Sequence, residues 1–198
     1  MKLLRQTLEK QVDISDDEWD LISSKFKAKS VSKGEIVHHA GEICNYIWYI
    51  KSGLARAFFI DSDGKEFTWQ LYYHDESLTN INLFMDDSVS FYEQSASLLS
   101  FEILEDSQFE VISANDMDML FDMEIKWQRL GRKMIHEVWF ASTYKRLISL
   151  MTETVEQRYQ RLLSEYPGIF KKVKSYHIAS YLGIAPQTLS KLRKNESR

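Results

Sequence analysis

Apolar and polar positions change their period twice along this 198-residue chain. Between Ser15 and Phe26 the large apolar residues Trp19, Ile22 and Phe26 recur at intervals of three and four, the spacing of a helix with one buried face. Ser15 and Glu18 form a capping box: hydroxyl and carboxylate each satisfy a backbone N–H that a first helical turn leaves unpaired, so a helix is expected to open here. From about Ser30 to Ser113 the texture is that of strands. Ile43–Ile50 and Leu54–Ile60 are rich in Ile, Phe, Tyr and Trp, and the intervening Lys51-Ser52-Gly53 predicts a turn. Asp61-Ser62-Asp63-Gly64-Lys65 carries the Asp-Gly of a tight hairpin, with Phe67–Tyr73 as the return strand. Phe101–Leu104 and Phe109–Ile112 flank Glu105-Asp106-Ser107, which reads as another hairpin. Short strands with turns every ~10 residues predict a sandwich or barrel.

Beyond Asn115 the period becomes helical again. Up to Met151 there is no proline, and the only glycine is Gly131. Trp127, Leu130, Met134, Val138, Ala141 and Ile148 lie near a 3-then-4 repeat, a stripe suited to a partner helix. At ~1.5 Å per residue this segment would be a rod of roughly 50 Å, longer than one small barrel covers. A homodimer is therefore expected, with packing against the barrel of the same chain as the other option. Thr154 and Gln157 repeat the capping signature, so the rod should break at residues 152–154, and a new helix should run to Tyr166 before Pro167-Gly168.

Composition narrows the function classes. An apolar fraction of 44% with two prolines and seven glycines describes a packed globular chain. The single cysteine, Cys44, excludes an intramolecular disulfide and an all-cysteine metal cluster, and fits a reducing cytoplasm. The N-terminal residues lack the apolar core of a signal peptide, and no window approaches the ~18 apolar residues of a membrane span. A cytoplasmic location without membrane contact is expected. The net charge of −4 conceals a segregation: residues 1–65 balance to zero, residues 66–125 carry no Lys or Arg and 14 Asp or Glu, and residues 126–198 carry an excess of 10 positive charges. Such territories predict a middle that repels polyanions and a C-terminal third that attracts them.

The positive end contains the most specific pattern, from Tyr176 to Lys194. Two short helices crossing steeply need a small residue at their contact, which Ala179 supplies, and a turn residue tolerant of positive φ, which Gly183 supplies. Ile178, Leu182, Ile184, Leu189 and Leu192 make the apolar seam, and Pro186 suits a first helical turn. Gln187, Thr188, Ser190, Lys191 and Lys194 remain for an outer, DNA-binding face. Gln can pair bidentately with adenine, Lys with the guanine edge, and Thr with a phosphate. The expected partner is double-stranded DNA.

With these residues the chain resembles the CRP/FNR superfamily of transcription regulators, in particular its short-chain, Bacteroidetes-like branch. Lys33-Gly34-Glu35-Ile36, Ala40-Gly41-Glu42, Ile50-Lys51-Ser52-Gly53-Leu54 and Asp63-Gly64-Lys65-Glu66 are similar to the family's cyclic-nucleotide-binding-type barrel, and Leu104-Glu105-Asp106-Ser107 to its closing hairpin. Arg158-Tyr159, Leu162-Leu163, Tyr166-Pro167 and Ile178 to Lys194 are similar to its DNA-binding end. The resemblance implies an α+β chain: a double-stranded β-helix, jelly-roll-like sensor barrel over 1–114, a dimerisation helix over 115–151 and a helix-turn-helix domain over 152–198. It also places Gln187, Thr188 and Lys191 where the family reads bases and backbone.

Two departures qualify it. Cyclic-nucleotide binders of this family carry a Gly-Glu pair for the ribose and an Arg-Ser pair for the cyclic phosphate. Here the corresponding stretch holds Asn80-Ile81-Asn82 and Ser97-Leu98, and these are the ligand-pocket candidates. A phosphate buried there would lack its strongest partner, a cation, so neither cAMP nor cGMP is expected to bind in the family manner. An unidentified small-molecule effector remains a candidate partner, with the aromatics Tyr72, Tyr73, Phe84, Phe91 and Tyr92 as pocket lining or as core. Ala185 stands where the second helix usually has a Ser or Thr cap, which costs about 1 kcal/mol. With four residues following Lys194, no wing strands are expected after the second helix.

No enzyme, metal or other cofactor is expected. His38 and His39 are adjacent, so on a strand they point to opposite faces, and His74, His136 and His177 lie in other elements. His177 is expected near DNA, and Cys44 as a small buried residue. The alternative function is a barrel that signals through ligand or protein contacts, with a vestigial DNA-binding end.

Overall fold

A computed structural model describes residues 1–74, 83–166 and 168–196. Two helices, α1 (Lys2–Glu9) and α2 (Asp16–Lys25), precede an antiparallel sheet of β1 (Lys27–Val31), β2 (Ile36–His38), β3 (Tyr46–Ile60), β4 (Glu66–Tyr73), β5 (Phe84–Met85) and β6 (Ser100–Ser113). A short helix, α3 (Ser88–Glu93), lies between β5 and β6. The strand order is β1-β6-β3-β4, with β2 also on β6 and β5 on β3. The long β3–β6 pair is the spine, and Tyr49, Ile50, Phe101, Ile103, Phe109 and Ile112 are buried along it. This is the expected barrel-like α+β architecture.

Local chemistry sets several boundaries. The Ser15–Glu18 capping box opens α2. The Glu18 carboxylate also takes Lys126 Nζ at 2.6 Å, and that ammonium, followed by the Ser15 N–H, lowers its pKa to about 2. The Asp61–Lys65 hairpin forms as its composition predicts: Asp61 Oδ1 accepts the N–H groups of Asp63 and Lys65, and Gly64 has φ +76°. Helix α1 had no forecast. Its only core residues are Leu4 and Leu8, a single pair four apart, too little to register as a period.

Two expected turns are absent. Lys51–Gly53 and Glu105–Ser107 lie within continuous strands and face each other across the β3–β6 pair, where the register shifts repeatedly between Ile50 and Ala55. Leu54 N–H donates to Ser107 Oγ at 3.1 Å, and that hydroxyl donates to Glu105 C=O at 2.6 Å. Gly53 sits at φ +97°, and a Cβ there would lie 2.1 Å from Ser107 Oγ. Residues with turn composition thus build a bulge, which bends the spine without ending either strand.

The expected rod from Asn115 to Met151 is also interrupted. Helix α4 (Ala114–Met123) stops at Glu124, whose backbone is extended at φ −150°, ψ 146°, and α5 (Ile125–Met134) begins immediately after. A π-helical turn (Ile135–Phe140) joins α5 to α6 (Ala141–Thr152), so the continuous part is roughly 40 Å long. The proposed partner-facing stripe needs correction. Trp127, Leu130 and Met134 are buried in the core of the same chain's barrel, Trp127 to 3% exposure, and cannot meet a second chain. Val138's side chain lies outside the described set, and Ala141 is half-buried.

The C-terminal part comprises α7 (Val155–Glu165), opened by the expected Thr154–Gln157 capping box, then α8 (Ile169–Lys172), α9 (Ser175–Leu182) and α10 (Pro186–Glu196). Their buried residues, including Tyr159, Leu162, Ile169, Ile178 and Leu189, form a second core with Leu54, Leu71 and Tyr73 of the sheet. No helix among the described residues is long and apolar enough to cross a membrane.

The bulge yields a stability test. Gly53→Ala should lower the unfolding free energy by about 2 kcal/mol or more in urea titration, because strain and overlap combine. Gly64→Ala has positive φ but no neighbour within 4 Å of the added Cβ, and should cost only about 1 kcal/mol. Equal losses would contradict the close approach at Gly53.

Candidate nucleic-acid interface and effector pocket

Helices α9 and α10 are joined through Gly183, at φ 70°, ψ 33°, whose N–H donates to Ser180 C=O. Ile178, Ala179, Leu182 and Leu189 are buried between them and the sheet, with Ile184 and Leu192 packed at the margin. That burial leaves Gln187, Thr188, Ser190, Lys191 and Lys194 exposed on α10, in the outward arrangement the spacing predicts. Ser190 Oγ bonds back to Pro186 C=O at 3.0 Å, so its proton is engaged within the helix.

Helix α9 is anchored on the edge strand β4. Ser180 Oγ accepts Thr68 N–H at 2.8 Å and donates to Glu66 C=O at 3.0 Å. Arg146, from α6, donates to the carbonyls of Thr68 and Tyr181 at 3.1 and 2.9 Å and lies 3.8 Å over the Tyr181 ring. His177 is a correction: it is buried rather than turned toward a ligand. Burial first, then Arg56 and Lys174, push its pKa down to about 3, so it is neutral at physiological pH.

The effector candidates divide. Asn80 and Asn82 lie outside the described residues. Ser97 is buried and engaged: its hydroxyl donates to Asp87 Oδ2 at 2.7 Å and accepts Leu99 N–H at 2.9 Å. Leu98 is 81% exposed and therefore lines no enclosed pocket. Asp87 also caps α3 by accepting Ser90 N–H. Its neighbour Asp86, unforeseen from sequence, is buried and accepts Trp139 Nε1–H at 2.6 Å and Ser88 Oγ–H at 2.7 Å. Burial raises its carboxyl pKa to about 6. Among the described residues no Lys or Arg forms a salt bridge with either aspartate. Cys44 is buried beside them, its thiol pushed up to about 11 by burial, and Tyr72 is also buried. Of the other aromatics, Phe91 belongs to the barrel core and Tyr73 to the second core, whereas Phe84 and Tyr92 face an apolar cavity. His38 is buried and His39 exposed, and among the described residues no three His, Cys, Asp or Glu side chains are placed to hold a metal.

Residues 28–123 match the family model for the cyclic nucleotide-binding domain. No curated protein sequence matches the chain. Solved structures of similar fold include FixK2 from Bradyrhizobium japonicum, with a TM-score of 0.69 and 16% identity over 86% of this chain and 83% of that one. A putative CRP/FNR-family transcriptional regulator from Eubacterium rectale gives 0.67 and 18% over 92% and 83%. The c-di-GMP-responsive global regulator CLP from Xanthomonas campestris gives 0.66 and 13% over 92% of each chain.

Asp86 provides a pH test with a definite sign. The folded protein holds its proton up to about pH 6, whereas an unfolded chain releases it near 3.9. Because the unfolded chain ionises in that interval and the fold does not, stability falls as pH rises between those values and changes no further above them. Asp86→Asn cannot ionise and should gain up to about 3 kcal/mol over the unsubstituted protein between about pH 4 and pH 7, measured by urea unfolding. A difference constant across that range would refute this environment for Asp86.

Proposed function

We propose that the chain is a DNA-binding transcription regulator, cytoplasmic and homodimeric, whose barrel does not take cyclic nucleotides; the match of residues 28–123 to the cyclic nucleotide-binding domain model and the fold shared with CRP/FNR regulators support this reading. The observation that carries this reading is α10, which buries Leu189 and half-buries Leu192 against α9 and the sheet while turning Gln187, Thr188, Lys191 and Lys194 outward. A helix inserted through that face brings a bidentate amide and two ammonium groups to base edges and phosphates.

For the dimer a different surface is proposed. The outer side of the α5–α6 rod exposes Phe140 (60%), Tyr144 (56%), Leu147, Ile148 and Met151, apolar residues at intervals of three and four. Burying that stripe against its symmetry mate would set two copies of α10 for successive major grooves, ~34 Å apart. The functional division follows as 1–114 for sensing, 115–151 for dimerisation and 152–198 for DNA, with the dimer contact concentrated after the π turn. Rejection of cyclic nucleotides is supported by Asp86 and Asp87 standing near Ser97 with no paired cation among the described residues, since a phosphate there would meet carboxylates instead of a guanidinium.

At low ionic strength the protein should retard fragments of genomic duplex, with affinity falling steeply as salt rises. Lys191→Glu should weaken retention at least ~10-fold. Leu147→Glu should shift the sedimenting species from dimer to monomer, and calorimetry should detect no cAMP binding at micromolar concentration. A folded protein that retains no duplex, or a Lys191→Glu variant that retains it unchanged, would favour instead a signalling barrel whose C-terminal helices bind no DNA.

A further inference from the structure

We propose that the apolar pocket between α1, α2 and the α4–α5 elbow is a binding site for a small uncharged hydrocarbon. It has a volume of about 70 Å³ and is walled by Leu4 of α1, Ile22 of α2, Met117 of α4 and Leu130 of α5, with Phe84 of β5 and Trp139 of the π turn on the barrel side. Apart from Tyr92 and two tryptophans, every lining side chain is hydrocarbon or thioether. The Trp139 N–H is already bonded to Asp86. A water needs two to four polar partners to occupy such a space, and this lining offers too few to hold one. A charged or strongly polar molecule would lose its hydration with nothing in exchange. An apolar cavity of ~150 Å³ accepts benzene or xenon, and this one is about half that size.

The walls have features that simple close packing does not require. Gly131 is a glycine within a helix, where that residue is unfavourable, and a Cβ there would lie 2.5 Å from the Phe121 ring. The glycine lets that ring lie against α5 and form one side of the cavity. The position also matters. Phe84 and Trp139 pack with ring centroids 5.8 Å apart across the joint between β5 and the π turn, and both line the cavity. An occupant therefore touches both sides of the joint that sets α6, and a snug one shifts the rod relative to the barrel. The site is separate from Ser97 and Asp87, neither of which lines it.

The test uses the full chain with labelled methyl groups, titrated first with xenon and then with n-butane. Saturable shifts at the methyls of Leu4, Ile22, Met117 and Leu130, with a raised melting temperature, are expected. Butyrate at the same concentration should give none. Leu130→Phe fills the space and should weaken butane binding at least tenfold. Where that variant fails to fold, Ile22→Phe serves, filling from the opposite wall. Shifts that do not saturate, shifts spread over unrelated surface methyls, or a folded cavity-filling variant that binds butane as well as the unsubstituted protein would overturn the proposal. None of these readouts involves DNA, so the site stands or falls independently of the regulator reading.

Discussion

The arrangement of the C-terminal helices depends on how β4, an edge strand, is covered. An uncovered edge presents unpaired N–H and C=O groups. Here Thr68 is bonded from three directions: its N–H by Ser180 of α9, its carbonyl by Arg146 of α6, and its hydroxyl, as acceptor, by Arg56 of β3. The helices thus complete the sheet chemically as well as covering it. With Ile178 and Leu182 buried beneath it, α9 cannot turn about its axis without breaking both of Ser180's bonds. Once α9 is held, the left-handed Gly183 directs α10, and Lys191 faces outward as a consequence. Arg146 extends the constraint to the rod, because its guanidinium also bonds Tyr181 in α9.

The π turn gives the rod its two faces. Trp127, Leu130 and Met134 point into the barrel at helical spacing, and continued α-helix would bring residue 138 inward next. The wider turn between Ile135 and Phe140 accommodates one extra residue, so Trp139 reaches Asp86 while Phe140 and Tyr144 stack outward at 6.1 Å between ring centroids. Without that insertion, the inward and outward stripes would run on in a single register. The barrel joint and the outer apolar surface are therefore two sides of one local distortion, and a displacement of Trp139 is felt at Tyr144 through only a turn of helix.

Features governed by neighbouring residues were legible in the sequence. Both capping boxes, the Asp-Gly hairpin and the Ala179–Gly183–Pro186 placement rely on interactions within a few residues, and each stands where its pattern implied. Errors arose where distant chain decides. Lys51–Gly53 and Glu105–Ser107 have the composition of turns, but each is opposed by the other some fifty residues away, and their pairing carries both strands through the bulge without a break. Trp127, Leu130 and Met134 were visible as an apolar stripe, yet periodicity reports that a face is buried and never against what. Asp86 carried no local signal, since its partner Trp139 is 53 positions distant. His177 misled for the same reason: proximity in sequence to α10 said nothing of the strand that α9 covers.

The charge segregation needs the same spatial correction. A few carboxylates of the acidic middle are matched by cations from the first third of the chain: Arg56 pairs with Glu66 and Glu102, and Lys51 with Glu110. Part of the C-terminal positive excess is likewise structural, because Lys126 is held by Glu18, Arg161 by Glu153, and Arg146 lies over aromatic rings. The unmatched charge is therefore smaller than the sequence totals. Asp86 and Asp87 lie inside the barrel end, whereas Lys191 and Lys194 on α10 form no salt bridge among the described residues. For the proposed duplex partner this distribution orients the approach. On the proposed function, carboxylates of the barrel would repel the polyanion while the ammonium groups on α10 would attract it, so a duplex would approach from the face bearing Gln187.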